Sequence, residues 1–418
     1  MKNTFYKRKY AACILLALGG ATTEASAQTL VNAIDNLFGS GGLVLQQSNS
    51  AFPETHFISS SFSQLGNLTS TLAASSADFP VVSTAPGMTF SYNSELNTFE
   101  AVRANNGGSL YVEGGKTLGE GKIAVGVNYA YVDYQTLNGN NLNGTNISIL
   151  HQQSPFESGV VNVNFNRFNI TSSVISSYFT YGITEKWDVN ILLPVMVTDL
   201  SMQATATVNN AGEGIFPYYF NTPGKTVNTY SATGHKVGVG DLQLRTKYNF
   251  FAAEGLNMSG LLKVRFPTGD AANFQGIGDY LIQPYLAVSQ IYGDFDFHTN
   301  AGIDVDLTVA DRSRARYGLG VSYQFVEMAK FMVDVIGSSN VTSQALSAQV
   351  PQYSLSTGAY SGTNTITSQL TTNIVDLSMG IKATPTKSLT TYINFLVPMT
   401  NDGLRTGFTP VAGIEMPL

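Results

Sequence analysis

Cysteine is nearly absent: Cys13 is the only one in 418 residues. It lies within what reads as a removable leader, so a mature chain has neither a disulfide framework nor a thiolate metal site. Charge is scarce as well. Asp, Glu, Lys and Arg make up 12% of the residues, well below the ~25% usual for a soluble domain. Their balance is acidic, at −6, which argues against nucleic acid as a partner because phosphates need a basic face. The four histidines, His56, His151, His235 and His298, show no H-x-x-x-H or similar ligand spacing, so no metal and no cofactor is expected. Long apolar runs are missing too. The one clear run, residues 11–18, falls short of the ~20 residues of a membrane-spanning helix.

What is present begins with MKNTFYKRKYAACILLALGGATTEASAQTL. Lys2, Lys7, Arg8 and Lys9 precede the apolar run, and Ala25-Ser26-Ala27 precedes Gln28. This is the layout of a secretory signal peptide, residues 1–27, cleaved near Ala27/Gln28. Cys13 precedes most of the apolar run, which is the wrong place for a lipid-anchored cysteine. Removing the leader's four cations and Glu24 leaves a net charge of −9. The mature chain is rich in Gly (40), Tyr (21) and Phe (24) across the full sequence, with a mean hydropathy of only +0.04. An exported, cysteine-free, aromatic-rich chain of even hydropathy fits a bacterial outer-membrane barrel.

Period-two patterning separates a barrel from a soluble β-protein. In VGDLQLRTKYNF, Leu242, Leu244, Tyr248 and Phe250 alternate with Asp241, Gln243, Arg245, Lys247 and Asn249. LNMSGLLKVRF sets Leu262, Val264 and Phe266 against Lys263 and Arg265. DFDFHTNAGIDVDLTV sets Phe295, Phe297, Ile303 and Val305 against Asp296, His298, Asp304 and Asp306. Similar segments start at Ile123, Trp187, Ala315, Phe331, Ile374 and Leu389. Many reach the ~9–11 residues a tilted strand needs to cross a bilayer. Pro284 interrupts one of them, where it faces lipid and removes a ladder donor.

Short turns at LGEGK, GITEKW, FAAEGLN, YGD, VEMAK and TPTKS alternate with longer polar loops at 137–161, 209–236, 269–278, 310–314, 341–370 and 400–404. Short periplasmic turns and long outer loops give the orientation. RTGFTPVAGIEMPL alternates to the terminus, with Leu418 where the signal for the barrel assembly machinery more often has an aromatic residue. The expected organisation is a 28–86 segment that plugs the lumen or leads into it, then an all-β, antiparallel transmembrane barrel of about 12–14 strands over 87–418. One strand is expected from 88–103, and a weak helix from 57–77.

THFISSSFSQLGNLTSTLAA (55–74), GGKTLGEGKIAVGVNYAYVDYQTLNG (114–139), YGITEKWDVNILLPV (181–195), GVGDLQLRTKYNFF (238–251) and LLKVRFPTGD (261–270) resemble a family of bacterial outer-membrane barrels. That family is regarded as transporters and named for the meta-cleavage pathway of phenol degradation. The resemblance spans most of residues 55–305 and implies uptake of hydrophobic or aromatic small molecules. It also suggests a distant likeness to long-chain fatty acid transporter barrels with an N-terminal hatch. It transfers no binding residues.

Catalysis finds little support. Asp296 and His298 share a strand face and could touch, but a polar lumen residue explains His298 far better than an acid–base pair does. GGKTLGEGK lacks the phosphate-loop spacing and is read as a tight hairpin turn. The candidate pore-lining set is Asp241, Arg245, Lys247, Lys263, Arg265, Asp296, His298, Asp304, Asp306, Arg314 and Arg316. Within it, a basic stripe (Arg245, Lys247, Lys263, Arg265) stands two strands from an acidic one (Asp296, Asp304, Asp306). Strands ~4.8 Å apart let the cations reach across. Such charges either stiffen the interior as a salt-bridged network or orient solutes in a transverse field. The expected function is an outer-membrane channel for passive uptake, with membrane lipid, the assembly machinery (through the C-terminal strand) and a small-molecule solute as partners. The alternatives are a structural or adhesion barrel with a closed lumen and, less favoured, a barrel hydrolase.

Overall fold

The structure, a computed structural model, describes residues 29–35, 45–47, 88–93, 98–103, 109–150, 160–209, 218–220, 222, 224–308, 310–341, 344–353, 360–370, 373–386 and 389–416. The expected leader and the expected helix at 57–77 lie outside them. The barrel strands are β1 (Ile123–Leu137), β2 (Val160–Thr184), β3 (Trp187–Asn209), β4 (Val227–Val239), β5 (Gln243–Ala253), β6 (Leu256–Arg265) and β7 (Leu281–Tyr292). They continue as β8 (Phe295–Asp306), β9 (Arg314–Val326), β10 (Ala329–Asn340), β11 (Asn373–Thr386), β12 (Leu389–Pro398) and β13 (Thr409–Met416).

β4 and β5 are two lengths of one stave. β4 pairs with the outer part of β3, from Val227↔Thr207 to Val239↔Val195. β5 pairs with its start, from Gln243↔Leu192 to Tyr248↔Trp187. Every other neighbour in the wall is antiparallel in chain order. β13 closes the ring on β1, from Val411↔Ala130 to Met416↔Val125. The result is a closed antiparallel barrel of twelve staves, at the low end of the expected range.

The alternation has the physical origin read from the sequence. Leu244, Tyr248, Leu262, Phe297, Leu319 and Ile393 are exposed on the outside, while Arg245, Lys247, Ser259, His298, Asp334 and Asn394 are buried inside. Lipid accepts the first set, and a Lys or Arg there would cost ~2–4 kcal/mol at the midplane. Exposed aromatics gather at the short-turn end: Tyr181, Trp187, Phe251, Tyr292, Phe295, Tyr323 and Phe325 form an interfacial girdle. Pro284 is exposed on the outer face, and the β7–β8 pairing lapses at residues 283 and 284. That lapse is where proline withholds its N–H.

Several expectations are corrected. Met88–Asn93 and Thr98–Arg103 pair with each other, outside the barrel sheet, so 88–103 supplies no stave. Alternation marks a two-faced strand without naming its partner. Residues 227–236, expected within a loop, belong to β4 because β2 and β3 run 25 and 23 residues. At ~3.3 Å per residue that is roughly 80 Å, so the hairpin projects past the membrane and offers β4 an edge. The LGEGK turn joins an interior segment to β1 instead of linking two strands.

The projecting strands have an apolar inner face, with Phe165, Phe168, Ile170, Leu200, Met202 and Ala204 buried in one cluster. Helix α1 (Leu30–Asp35) packs into this cluster through Leu30, Ala33 and Ile34, whose spacing places them on one helix face. Thr29 caps the helix, its Oγ1 accepting from Asn32 N at 3.2 Å. Leu30 N donates to Asn273 Oδ1 at 3.1 Å, and Tyr230 Oη donates to Ala33 O at 3.0 Å.

Candidate functional site

Inside the barrel, residues 109–118 (SLYVEGGKTL) lie along the wall as a belt. The segment alternates poorly and carries two glycines, so it runs across strands instead of pairing as one. Ser109 Oγ donates to Asp334 Oδ1 on β10, and Tyr111 N donates to Asp334 Oδ2 at 3.0 Å. Glu113 N donates to Asn300 Oδ1 on β8 at 2.7 Å, and Asn300 Nδ2 returns a bond to Glu113 O at 2.8 Å. Gly115 N donates to Ser289 Oγ on β7 at 3.0 Å, while Ser259 Oγ on β6 and Asn249 Nδ2 on β5 both donate to Gly115 O. Leu118 N reaches Asp188 Oδ2 on β3 at 3.0 Å. A Cβ on Gly115 would stand 2.2 Å from Asn257 O, and one on Gly320 would stand 2.6 Å from Asp334 Oδ1. The belt therefore needs glycine both in itself and in the wall.

The belt also delivers the acid that the strand pattern does not contain. Glu113 is buried and its carboxylate takes Lys247 Nζ at 3.1 Å and Arg245 Nη1 at 3.5 Å. The expected bridge from the basic stripe across β7 is thus replaced for these two cations by a bridge to the belt. Asp304 on β8 holds Arg316 Nε on the adjacent β9 at 2.5 Å. Arg405 pairs with Asp376.

Asp241 has a different task. Its side chain is fully buried and takes Arg265 Nε at 2.9 Å, Gly269 N at 3.0 Å and Ile277 N at 2.9 Å. Thr268 Oγ1 accepts from Leu242 N at 2.9 Å and donates to Gly240 O at 2.8 Å. The Gly-Asp of one strand junction and the Pro-Thr-Gly-Asp of the next are thus one latch. It folds the 269–277 loop inward, burying Phe274.

Above the belt lies a chamber of about 200 Å³. Of the residues expected to line a pore, Arg245, Lys263, Arg265, Asp304 and Arg316 border it. Arg245 and Lys263 are direct cross-strand partners. Asp241, Lys247, Asp296, His298, Asp306 and Arg314 do not border it. Asp306 caps the outer turn, accepting from Thr308 N at 2.9 Å, and Arg314 stands opposite Asp304 in register. His298 Nε2 lies 3.2 Å from Asp296 Oδ1, with its ring against Gly114 of the belt. The two therefore touch, away from the chamber. Tyr111, Glu113, Gln283, Tyr285, Asp376 and Arg405 also border it and were not anticipated. The belt and the short Leu404–Thr406 strand lack the alternation that identifies staves. Among the described residues no cluster of His, Cys, Asp or Glu is arranged to hold a metal ion.

A closed ring of strands with an apolar outside, an aromatic girdle and a charged, belted interior defines a transmembrane β-barrel. The chain belongs to the family described as "Putative MetA-pathway of phenol degradation", whose sequence profile matches residues 151–396. Among solved structures, it is similar to an outer-membrane channel from Pseudomonas putida, with 12% identity and a TM-score of 0.43, covering 72% of this chain and 97% of that one. It is also similar to the NanC porin (9% identity, TM-score 0.36, 71% of this chain and 100% of that one). A FadL homologue from Pseudomonas aeruginosa follows (8% identity, TM-score 0.31, 70% of this chain and 89% of that one). No curated protein matches the chain.

Proposed function

We propose that this barrel resides in the bacterial outer membrane and is a channel for passive uptake of small molecules, hydrophobic or aromatic compounds among them. The observation that carries this reading is the chamber. A barrel serving only as a scaffold has no need to gather Arg245, Lys263, Arg265, Asp304 and Arg316 around a space of about 200 Å³. A cavity of about 150 Å³ accommodates benzene, so a single-ring compound is of the right scale. The family's name supports the aromatic part of the reading.

Solute enters beneath the projecting β2–β3–β4 sheet, pauses in the chamber and leaves past the belt. α1 and the belt restrict the two ends of the path, and the chamber charges select what passes. The belt is held by hydrogen bonds to side chains of several strands and by no strand pairing of its own.

A second reading has its own observation. Leu110 and Tyr111 of the belt are buried with Met332, Tyr392 and Val411, a packed plug suited to a structural or adhesion barrel. Liposome swelling separates the two. Swelling graded by solute size, with small aromatic compounds entering, supports the channel. No swelling with any solute supports the closed barrel. The chain is read as non-enzymatic, since the Asp296–His298 pair lies under the belt.

A further inference from the structure

Five cationic side chains border the chamber, and four have an acid. Arg245 is paired with Glu113, Arg265 with Asp241, Arg316 with Asp304 and Arg405 with Asp376. Among the described residues, Lys263 is the one of the five with neither an ion pair nor a hydrogen bond. The acid that acts on its ammonium, Asp304, is already paired with Arg316; a buried ammonium without an acid of its own is costly, and an anion in the chamber removes that cost.

The neighbours of Lys263 sharpen the inference. Its cross-strand partners are Arg245 on β5 and Gln283 on β7, and both border the chamber. Gln283 is buried, and its carboxamide oxygen has no hydrogen-bond partner. A half-turn of that amide presents an N–H donor at the same place. β12 lies six staves from β6, diametrically opposite in a ring of twelve. From that side Val132, Tyr134, Ile336 and Leu396 also border the chamber. One wall offers a cation without an acid of its own, and the facing wall offers apolar surface beside the Arg405–Asp376 pair.

We propose that Lys263, flanked by Arg245 and Gln283, is a subsite for the carboxylate of a small aromatic acid whose ring lies against the wall of Val132, Tyr134, Ile336 and Leu396. The inference rests on the channel reading above and narrows its solute class from small aromatic compounds to aromatic monoanions. No bond is made or broken; the site holds the anion by charge-assisted hydrogen bonds and the ring by burial.

The test is calorimetric titration of benzoate into the purified, folded barrel, alongside benzamide and acetate. Benzoate is expected to bind saturably. Benzamide, which lacks the charge, and acetate, which lacks the ring, are each expected to bind about ten-fold more weakly or worse, the scale of one lost charge-assisted hydrogen bond or one unburied ring. Lys263→Gln should lose a similar factor for benzoate, and Lys263→Arg should recover most of it. Both variants are checked for heat-modifiable gel mobility, which reports an intact barrel. Equal benzoate binding by the wild type and Lys263→Gln, or no saturable binding, overturns the subsite. Swelling assays on the same preparations keep the two ideas apart. Solute flux without benzoate binding leaves the channel and removes the subsite, whereas Lys263-dependent binding without flux leaves the subsite and removes the channel.

Discussion

The Arg265 guanidinium meets the Asp241 carboxylate at 2.9 Å, and the Asp241 side chain has no exposed surface. The pair joins the end of β6 to the break between β4 and β5, and the same carboxylate receives Gly269 N and Ile277 N. Asp241→Ala removes an acceptor from one buried cation and from two backbone donors. The expected cost is about 3–5 kcal/mol, read as a lower temperature for loss of the compact gel band. Faster amide exchange is expected over residues 266–280. An unchanged transition contradicts the latch.

This pair changes how the basic stripe is tested. Reversing both Lys263 and Arg265 would set a new acid beside Asp241 and confound selectivity with folding. Lys263→Glu alone is the clean substitution, because no partner is lost. It should move the reversal potential in a salt gradient toward cation selectivity while heat-modifiable mobility persists. Unchanged selectivity would return Lys263 to a structural role.

Glu113 sits between Lys247 and Arg245 and anchors the belt. Glu113→Gln keeps the volume and removes the charge, leaving two buried cations facing each other. A loss of about 3–5 kcal/mol is expected, with a larger and noisier conductance as the belt loosens. Stability and conductance both equal to wild type would show that the belt does not depend on this residue.

Helix α1 gives a prediction at the opposite end. Ile34 is fully buried in the apolar cluster under the projecting strands. An aspartate there cannot be accommodated without an unpaired buried charge, so Ile34→Asp should release the helix while leaving the twelve staves closed. Faster solute entry with an unaltered barrel transition is the expected outcome. Slower or unchanged entry would remove α1 from the path.

Much of the barrel is legible in the sequence because lipid imposes it. Leu244, Leu262 and Phe297 must alternate with Arg245, Lys263 and His298 when one face meets hydrocarbon. Where lipid does not dictate, legibility ends. In β4, VNTYSATGHKVGV pairs with the far length of β3, and its many small and polar residues read as loop. MTFSYN and TFEAVR alternate well, yet pair with each other. The belt is the largest omission. Its Gly114-Gly115 pair signals close approach, but Glu113 gains its meaning only once Arg245 and Lys247 are seen to need an acid. For the same reason Asp241 was expected at the pore and is found instead inside a latch.

Passage of solute through this lumen is read by single-channel recording of the purified barrel in a planar bilayer. Discrete current steps are expected, reduced by benzoate added from the outer side and shifted in ion selectivity by Lys263→Glu. A folded, heat-modifiable barrel that inserts and carries no current under any applied potential would contradict it.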